Sequence, residues 1–486
     1  MNNDTSAPRQ AEWREELRKA HTAKQRAEIP RVKMHELDAA YRVTCNEEVN
    51  CGISAEQAVI ESTRCMDCPD PQCVQGCPVN INIPGFIKNI ERGDFAAAAT
   101  VLRETSALPA VCGRVCPQEK QCESRCIYNK MKKPAVAIGY LERFAADEDM
   151  RTRKADGAVR NSDGAVKVAV AGSGPAGLSF AGEMARLGFD VTVYEALHEI
   201  GGVLKYGIPQ FRLPNSIVDA EIAALESLGV KFVKDCIIGK TLSFDDLQSM
   251  GFKGLFVASG AGLPRFMGIP GENLIGVMSS NEYLTRVNLM GAGTPGHDTP
   301  VLPGASVAII GGGNTAMDSV RTARRMGASR VMLVYRRSEE EMPARAEEIK
   351  HAKEEGVEFL TLHNPVEYLA DETGRVRAMR VQRMELGEPD ESGRRSPVAI
   401  PGAIDEIPVD MVIVSVGVSP NPLIPSAIEG LDVSRRGTIV VDESTMQSSI
   451  PTLYAGGDIV RGGATVILAM GDGRRAAQSM AKQLQG

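Results

Sequence analysis

A chain of 486 residues with 43% hydrophobic and 24% charged residues is too long for one core and ordinary in composition for a globular protein of about two to four domains. The net charge of -7 lacks the basic footprint of a nucleic-acid binder, and no apolar run approaches the roughly 18 residues of a membrane span, so neither is expected as a partner. The opening segment is charged rather than signal-like, which points to a cytoplasmic protein working with proteins and small molecules.

Residues 1 to about 30 are polar and carry the only tryptophan, Trp13, in a helix-compatible run; they read as a frayed or docking arm. Of the eleven cysteines, all but Cys236 precede residue 127. Cys45 and Cys51 have no informative spacing and read as spare thiols. Two tight runs follow, Cys65-x2-Cys68-x4-Cys73-x3-Cys77-Pro78 and Cys112-x3-Cys116-Pro117-x4-Cys122-x3-Cys126. Short spacers gather thiolates around a small inorganic core, and a Cys-Pro exit resembles ferredoxin runs, so two iron-sulfur clusters are the natural reading. A pair of structural zinc sites is the alternative. Between the runs, IPGFIKNIERGDFAAAATVLRET reads as two short helices around Gly93, which makes the module α-helical.

Residues 146 to 165 are polar and glycine-containing, as a linker would be. Beyond them, a β-branched strand from Val166 to Val170 feeds the turn Gly172-Ser173-Gly174-Pro175-Ala176-Gly177, a helical pattern follows, and a second strand ends at Glu195. This is a complete dinucleotide-binding unit. Its glycines serve the turn, the approach to a pyrophosphate and helix-strand packing, while the acid about 20 residues on can accept from a ribose hydroxyl. The helix start supplies amide donors to phosphate. In the next stretch Gly201 and Gly202 permit close backbone approach to a ligand, and Arg212 is a candidate phosphate contact.

A second unit opens at Ser306 with Gly311-x-Gly313-Asn314-Thr315-Ala316, and its next strand runs from Val331 to Tyr335. Arg336 and Arg337 stand at its end, where an NAD-selective site would carry an acid. Two guanidinium forks there suit a 2′-phosphate, so NADPH is expected over NADH; a solvated basic pair answering Glu339 to Glu341 is the alternative. Asp410 to Val418 reads as a buried parallel strand, and Pro420 and Pro422 mark the exit from this unit. Near the C-terminus, Gly457-Asp458 follows a strand. The acid can accept from a ribityl hydroxyl, and a helix opening at Thr465 and Val466 can aim amides at a flavin ring. The flavin unit is therefore split by the second unit.

Together, the paired cysteine runs, the GSGPAG loop, the GGGNTAMD loop with YRRS and the AGGD motif resemble the small (beta) subunit family of bacterial NADPH-dependent glutamate synthase, over nearly the whole chain from about residue 35. The same architecture is similar to the large subunit of electron-bifurcating NADH-dependent ferredoxin:NADP oxidoreductase, to sulfide dehydrogenase and to the N-terminal half of dihydropyrimidine dehydrogenase. The resemblance implies an α/β protein with two Rossmann-like three-layer domains preceded by an α-helical double-cluster domain. The expected boundaries are 1–150 for the iron-sulfur domain, 164–295 and 419–486 for the FAD domain, and 296–418 for the NADPH domain. It also implies a route from NADPH through FAD and 4Fe-4S clusters to a redox partner, either a glutamate synthase large subunit or a ferredoxin-linked flavoprotein. A flavin is needed because it takes electrons in pairs and releases them singly. No side-chain acid or base need act, so no catalytic residue is expected.

The resemblance further implies crossed ligation, as in two-cluster ferredoxins. One cluster then takes Cys65, Cys68, Cys73 and Cys126, and the other takes Cys77, Cys116 and Cys122 with Glu142 as fourth ligand. In AIGYLERFAAD the apolar face runs through Ile138, Leu141 and Ala145, with Glu142 on it, where a carboxylate needs a partner or a metal. The alternatives are one cluster per run, with Cys112 as a ligand, and Glu142 beside Arg143 as a solvated helix edge.

Overall fold

The computed structural model describes residues 8–153, 164–301, 304–391 and 393–485. Helix α1 (Ile83–Glu91) starts where the Asn82 side chain accepts from Gly85 N at 3.1 Å, and α2 (Phe95–Arg103) where Asp94 accepts from Ala97 N at 3.0 Å. These two helices lie on either side of Gly93. Helix α3 (Pro109–Val115) follows, and α4 (Ile138–Thr152) packs against α1, α2 and α3. Because α4 continues to Thr152, it occupies the first part of the stretch read as a linker; residues 154–163 of that stretch lie outside the described residues. The polar N-terminal arm is docked rather than frayed. Arg9 donates to the Asp67 carbonyl at 2.7 Å, and Arg14 and Arg18 pair with the Asp67 carboxylate.

The first parallel sheet has the order β15-β4-β1-β2-β3, from β1 (Lys167–Ala171), β2 (Asp190–Tyr194), β3 (Lys231–Val233), β4 (Gly254–Val257) and β15 (Leu453–Ala455). Leu453 pairs with Leu255, so a C-terminal strand closes a sheet begun near residue 167. Helix α5 (Pro175–Arg186) packs on it beside the C-terminal helix α8 (Val466–Gln485).

The second parallel sheet is β6-β13-β7-β8-β9: β6 (Val277–Ser279), β7 (Ser306–Ile310), β8 (Arg330–Tyr335), β9 (Glu358–Thr361) and β13 (Met411–Val414). Two readings need correction here. Val277–Ser279 pairs with Val412–Val414, so a strand lying before the 295/296 boundary belongs to the second sheet. The stretch from Asp410 to Val418 is not one strand: it leaves the sheet after Val414, turns at Gly417 with φ +111°, and Val418 then pairs with Pro264. That antiparallel pair, β5 (Leu263–Pro264) with β14 (Val418–Ser419), is where the chain crosses between the sheets in both directions. A three-stranded antiparallel layer, β10 (His363–Ala370), β11 (Val376–Pro389) and β12 (Arg395–Pro408), was not anticipated. Helices α6 (Asn314–Arg325) and α7 (Ala346–Glu354) complete the second unit.

One hydrophobic core runs without a break from Phe86, Val111 and Leu141 of the cysteine-bearing helices into Val168, Phe180, Phe256 and Met470 around the first sheet. The second unit has its own core around Val307, Val320 and Leu333. No helix among the described residues is long and apolar enough to cross a membrane.

Candidate cofactor and cluster sites

The turn after β1 is shaped by what its glycines exclude. Gly172 has φ +107°, and a Cβ on Gly177 would lie 2.0 Å from Gly172 O, so only glycine lets α5 start this close to the strand. A Cβ on Gly174 would meet nothing within 4 Å, because that position faces a cavity of about 960 Å³. Ser173, Pro175, Ala176, Glu195, Gly202, Gly457, Asp458, Thr465 and Val466 line the same cavity. The Glu195 carboxylate is held rigidly: Oε2 accepts from Ser173 N at 2.9 Å and Ser173 Oγ at 2.6 Å, and Oε1 accepts from Leu197 N at 2.9 Å, leaving Oε1 a lone pair for a ligand hydroxyl. Across the cavity, Asp458 Oδ1 accepts from Ala464 N at 2.9 Å and Thr465 caps α8. Burial pushes the Asp458 carboxyl above its usual range and Tyr206 up to about 12.

Asp472 was missed by the sequence reading. It is fully buried, accepts from Gly457 N at 3.1 Å and pairs with Arg461 at 2.6 Å, so it sets the turn that presents Asp458. Its signal was a lone acid in a small-residue helical stretch, AMGDG, where burial demands a partner.

Arg212, read as a phosphate contact, lines the cavity but is committed elsewhere. Its Nη1 donates to both Asp318 oxygens at 2.6 and 2.7 Å, and its Nε lies 3.2 Å from Glu348. Asp318 and Glu348 belong to α6 and α7. Burial pushes Glu348 up, but Arg212 and Arg321 outweigh it and bring the carboxyl down to about 2. Arg321 extends the network to Glu355 at 2.9 Å, and Arg42 reaches Glu355 at the same distance.

In the second unit Gly311 has φ +140° and Gly313 faces open space, while the Ala316 methyl is fully buried. Asn314 and Thr315 face the same large cavity. A Cβ on Gly312 would lie 2.7 Å from the Tyr335 ring, which sets the end of β8 against this loop. The two arginines after Tyr335 are not equivalent. Arg336 is exposed and forms no ion pair among the described residues, whereas Arg337 is buried and paired with Asp390. The acids that follow are answered by others: Glu339 by Lys353 at 2.7 Å and Glu341 by Arg395 at 2.6 Å.

The cysteine runs interleave. Cys73 feels the charges of Cys65, Cys68 and Cys126, and Cys68 that of Cys126. Cys122 feels Glu142, Cys77 and Cys116, while Cys77 feels Glu142 and Cys116. Cys112 stands with the second set, its thiol interacting first with that of Cys116 and then with Glu142 and Cys77, and its Sγ lies 3.4 Å from Met470 Sδ. Burial pushes the thiols up, Cys65 to about 11 and Cys77 to about 12, so as free groups they would stay protonated; a bound cluster would deprotonate them.

Glu142 is 5% exposed, and its Oε1 has no hydrogen-bond partner. Burial, with Glu221 adding like charge, pushes it up to about 8. It is not a solvated helix edge, and Arg143 points instead to Glu48 at 3.0 Å. An orphaned carboxylate oxygen among four buried thiols, Cys77, Cys112, Cys116 and Cys122, fits a cluster ligand set.

Among the described residues, the one group of three His, Cys, Asp or Glu side chains with ligand atoms within 4.8 Å of one another is Glu36, Glu347 and His351. Lys350 already pairs with Glu36 at 2.8 Å and Arg345 with Glu347 at 3.2 Å, so this is an ion cluster between segments. The cysteine sets are more widely spread. A single zinc would hold four thiolates about 3.8 Å apart.

Both parts of the chain are similar to known proteins. Residues 42–154 match the model of dihydropyrimidine dehydrogenase domain II, 4Fe-4S cluster, and residues 166–473 match pyridine nucleotide-disulphide oxidoreductase. The chain is 37% identical over 434 residues to a glutamate synthase [NADPH] small chain of Halomonas elongata, covering 87% of this chain and 90% of that one. It is 38% identical to the NADP(+)-dependent formate dehydrogenase subunit beta of Moorella thermoacetica, covering 85% of this chain and 60% of that one. Among solved structures, Mycobacterium tuberculosis FprA in complex with NADPH superposes with a TM-score of 0.56 at 20% identity, over 66% of this chain and 85% of that one, a likeness of fold.

Proposed function

Because this chain belongs to the family of glutamate synthase [NADPH] small chains, within the pyridine nucleotide-disulphide oxidoreductases, we propose that it passes electrons from NADPH, through FAD in the large cavity and two 4Fe-4S clusters, to a glutamate synthase large subunit. That it is an NADPH-dependent oxidoreductase with flavin and iron-sulfur chemistry follows from the family. The number of clusters, their ligands, the domain boundaries and the partner are our reading. When bound, FAD accepts electrons from NADPH in pairs and releases them singly.

One observation carries the proposal. Val115 and Pro117, the neighbours of Cys116, form part of the wall of the cavity that the GSGPAG turn and Glu195 also line. The thiol set with Glu142 therefore abuts the flavin site, and Asn314 and Thr315 bring the second dinucleotide loop to the same space. We assign the inner cluster to Cys77, Cys116, Cys122 and Glu142, and the outer one to Cys65, Cys68, Cys73 and Cys126. Glu195 and the α5 amides would hold the adenosine and pyrophosphate part of FAD, and Asp458 with the start of α8 its ribityl and ring. The boundary between the FAD and NADPH domains is best drawn at the β5/β14 crossover.

The test is anaerobic purification from the native source. The proposal expects about eight irons and one FAD per chain, NADPH-driven reduction of an artificial acceptor, and a co-purifying glutamate synthase large subunit. Stoichiometric zinc with little iron would overturn the cluster assignment. Co-purification of a ferredoxin-linked flavoprotein or a formate dehydrogenase subunit would replace the partner.

A further inference from the structure

Arg345 lies outside every motif read from the sequence, yet it joins two sites. It sits in the loop before α7 and is only 6% exposed. Its main-chain N donates to Asn314 Oδ1 at 2.9 Å, and its neighbour Ala344 donates from N to Gly312 O at 3.3 Å, so this loop is tied to the second dinucleotide turn at two points. The guanidinium reaches the other way. Nη1 donates to Arg114 O at 2.7 Å and Nη2 to Gln118 Oε1 at 3.1 Å, residues that bracket Cys116. Gln118 passes the contact on, since its Nε2 donates to Cys112 O at 3.2 Å and its N to Cys116 O at 2.9 Å. Lys120, between Cys116 and Cys122, adds a second grip by donating to Pro343 O at 2.9 Å and Ala344 O at 3.0 Å.

We propose that Arg345 is a positioning residue that couples the dinucleotide site to the inner cluster, because its main chain is fastened to the Gly312–Asn314 turn and its guanidinium to the loop carrying Cys116. The proposal rests on the cluster assignment above. A dinucleotide that shifts Asn314 or the Gly312 carbonyl moves the anchor of Arg345, and with it the donors around the Cys116 loop. The charge matters as well. The Arg345 cation is held against Arg114 O and Gln118 Oε1 on either side of Cys116, and although Glu347 at 3.2 Å and Glu119 at 3.8 Å offset part of that charge, its removal would leave those two acids unopposed. A cluster gains negative charge on reduction, so loss of the cation makes reduction harder. By linkage, a dinucleotide that changes the cluster equilibrium is itself bound differently by the oxidised and reduced cluster, by the same factor.

The experiment is a potentiometric titration of the holoenzyme, following the paramagnetic signal of the reduced inner cluster with and without 2′-phospho-ADP-ribose, which occupies the dinucleotide site but carries no electrons. In the unaltered protein the analogue is expected to change the one-electron equilibrium about tenfold, a midpoint shift of about 59 mV. Arg345→Gln should abolish that response and lower the analogue-free midpoint. Arg345→Lys keeps the charge but not the two-point grip, so it should lose the response while its starting midpoint stays near the original. It also serves if the Gln variant fails to assemble. The proposal is overturned if the unaltered protein shows no response, or if the variant that assembles responds as before. Absence of the cluster signal and of iron from the unaltered protein would overturn the cluster assignment instead, and this proposal with it.

Discussion

Arg336 and Arg337 are adjacent in sequence and opposite in circumstance, and their replacement separates cofactor choice from folding. Arg336 is exposed beside the turn whose Gly312 packs on Tyr335, and it has no counter-charge among the described residues, so its full hydrogen-bonding capacity is available to a 2′-phosphate. A charge-assisted contact of that kind contributes about 1.5 to 3 kcal/mol. Arg336→Ala should therefore lower the ratio of kcat/KM for NADPH to that for NADH by roughly ten- to a hundredfold, almost entirely through the NADPH value. Arg337 has its side chain 7% exposed and is held by Asp390, itself 30% exposed. Arg337→Ala breaks a partly buried pair and should cost about 1 to 3 kcal/mol of stability, less than a fully buried pair because Asp390 stays hydrated, with a much smaller change in selectivity. The assay is acceptor reduction with each dinucleotide, paired with thermal unfolding of each variant. If Arg337→Ala loses selectivity and Arg336→Ala keeps it, or if neither variant changes it, the reasoning fails.

Glu142→Ala should lose the inner cluster's signal or alter it, while Cys112→Ser leaves iron content and the reduced spectrum unchanged; the opposite result would restore one cluster per run. Gly177→Ala places a methyl 2.0 Å from Gly172 O, so a stability loss of about 1 to 3 kcal/mol and flavin-depleted protein are expected, read by calorimetry and by flavin absorbance. Burial, helped by Arg321, holds His351 below the ordinary imidazole range. Below about pH 6.5 the unfolded chain then takes up a proton that the folded protein does not, and stability falls as pH falls, by up to about 1.4 kcal/mol per unit. His351→Gln should flatten that slope in thermal melts between pH 5 and 7, and an unchanged slope would discount the histidine.

What the sequence made legible is what local geometry enforces. The Gly172–Gly177 turn can be read because Gly177 answers to Gly172 five residues away, and the two short helices around Gly93 because their apolar residues recur at helical spacing within each segment. Arg337 could not be read in this way, since its partner Asp390 lies 53 residues on, in the loop between two long strands. Arg212 illustrates the same limit: a guanidinium near a glycine pair suits phosphate, but Asp318, 106 residues away, claims it. The antiparallel layer escaped notice because β11 and β12 expose much of their length, leaving only Val376, Ala378, Met379 and Val381 as a short apolar signature.

The continuous core between the cysteine-bearing helices and the first sheet bears on how this protein keeps time. With Cys112 Sγ against Met470 Sδ, and Pro78 O so near Gly471 that an added Cβ would stand 2.9 Å from it, the two parts are in close contact across the seam. A junction of that kind does not open and reseat at each turnover, as a docked carrier domain must. Electron passage between FAD and the inner cluster assigned above would then be a jump over a fixed gap, and its rate on reduction by NADPH is expected not to change with solvent viscosity.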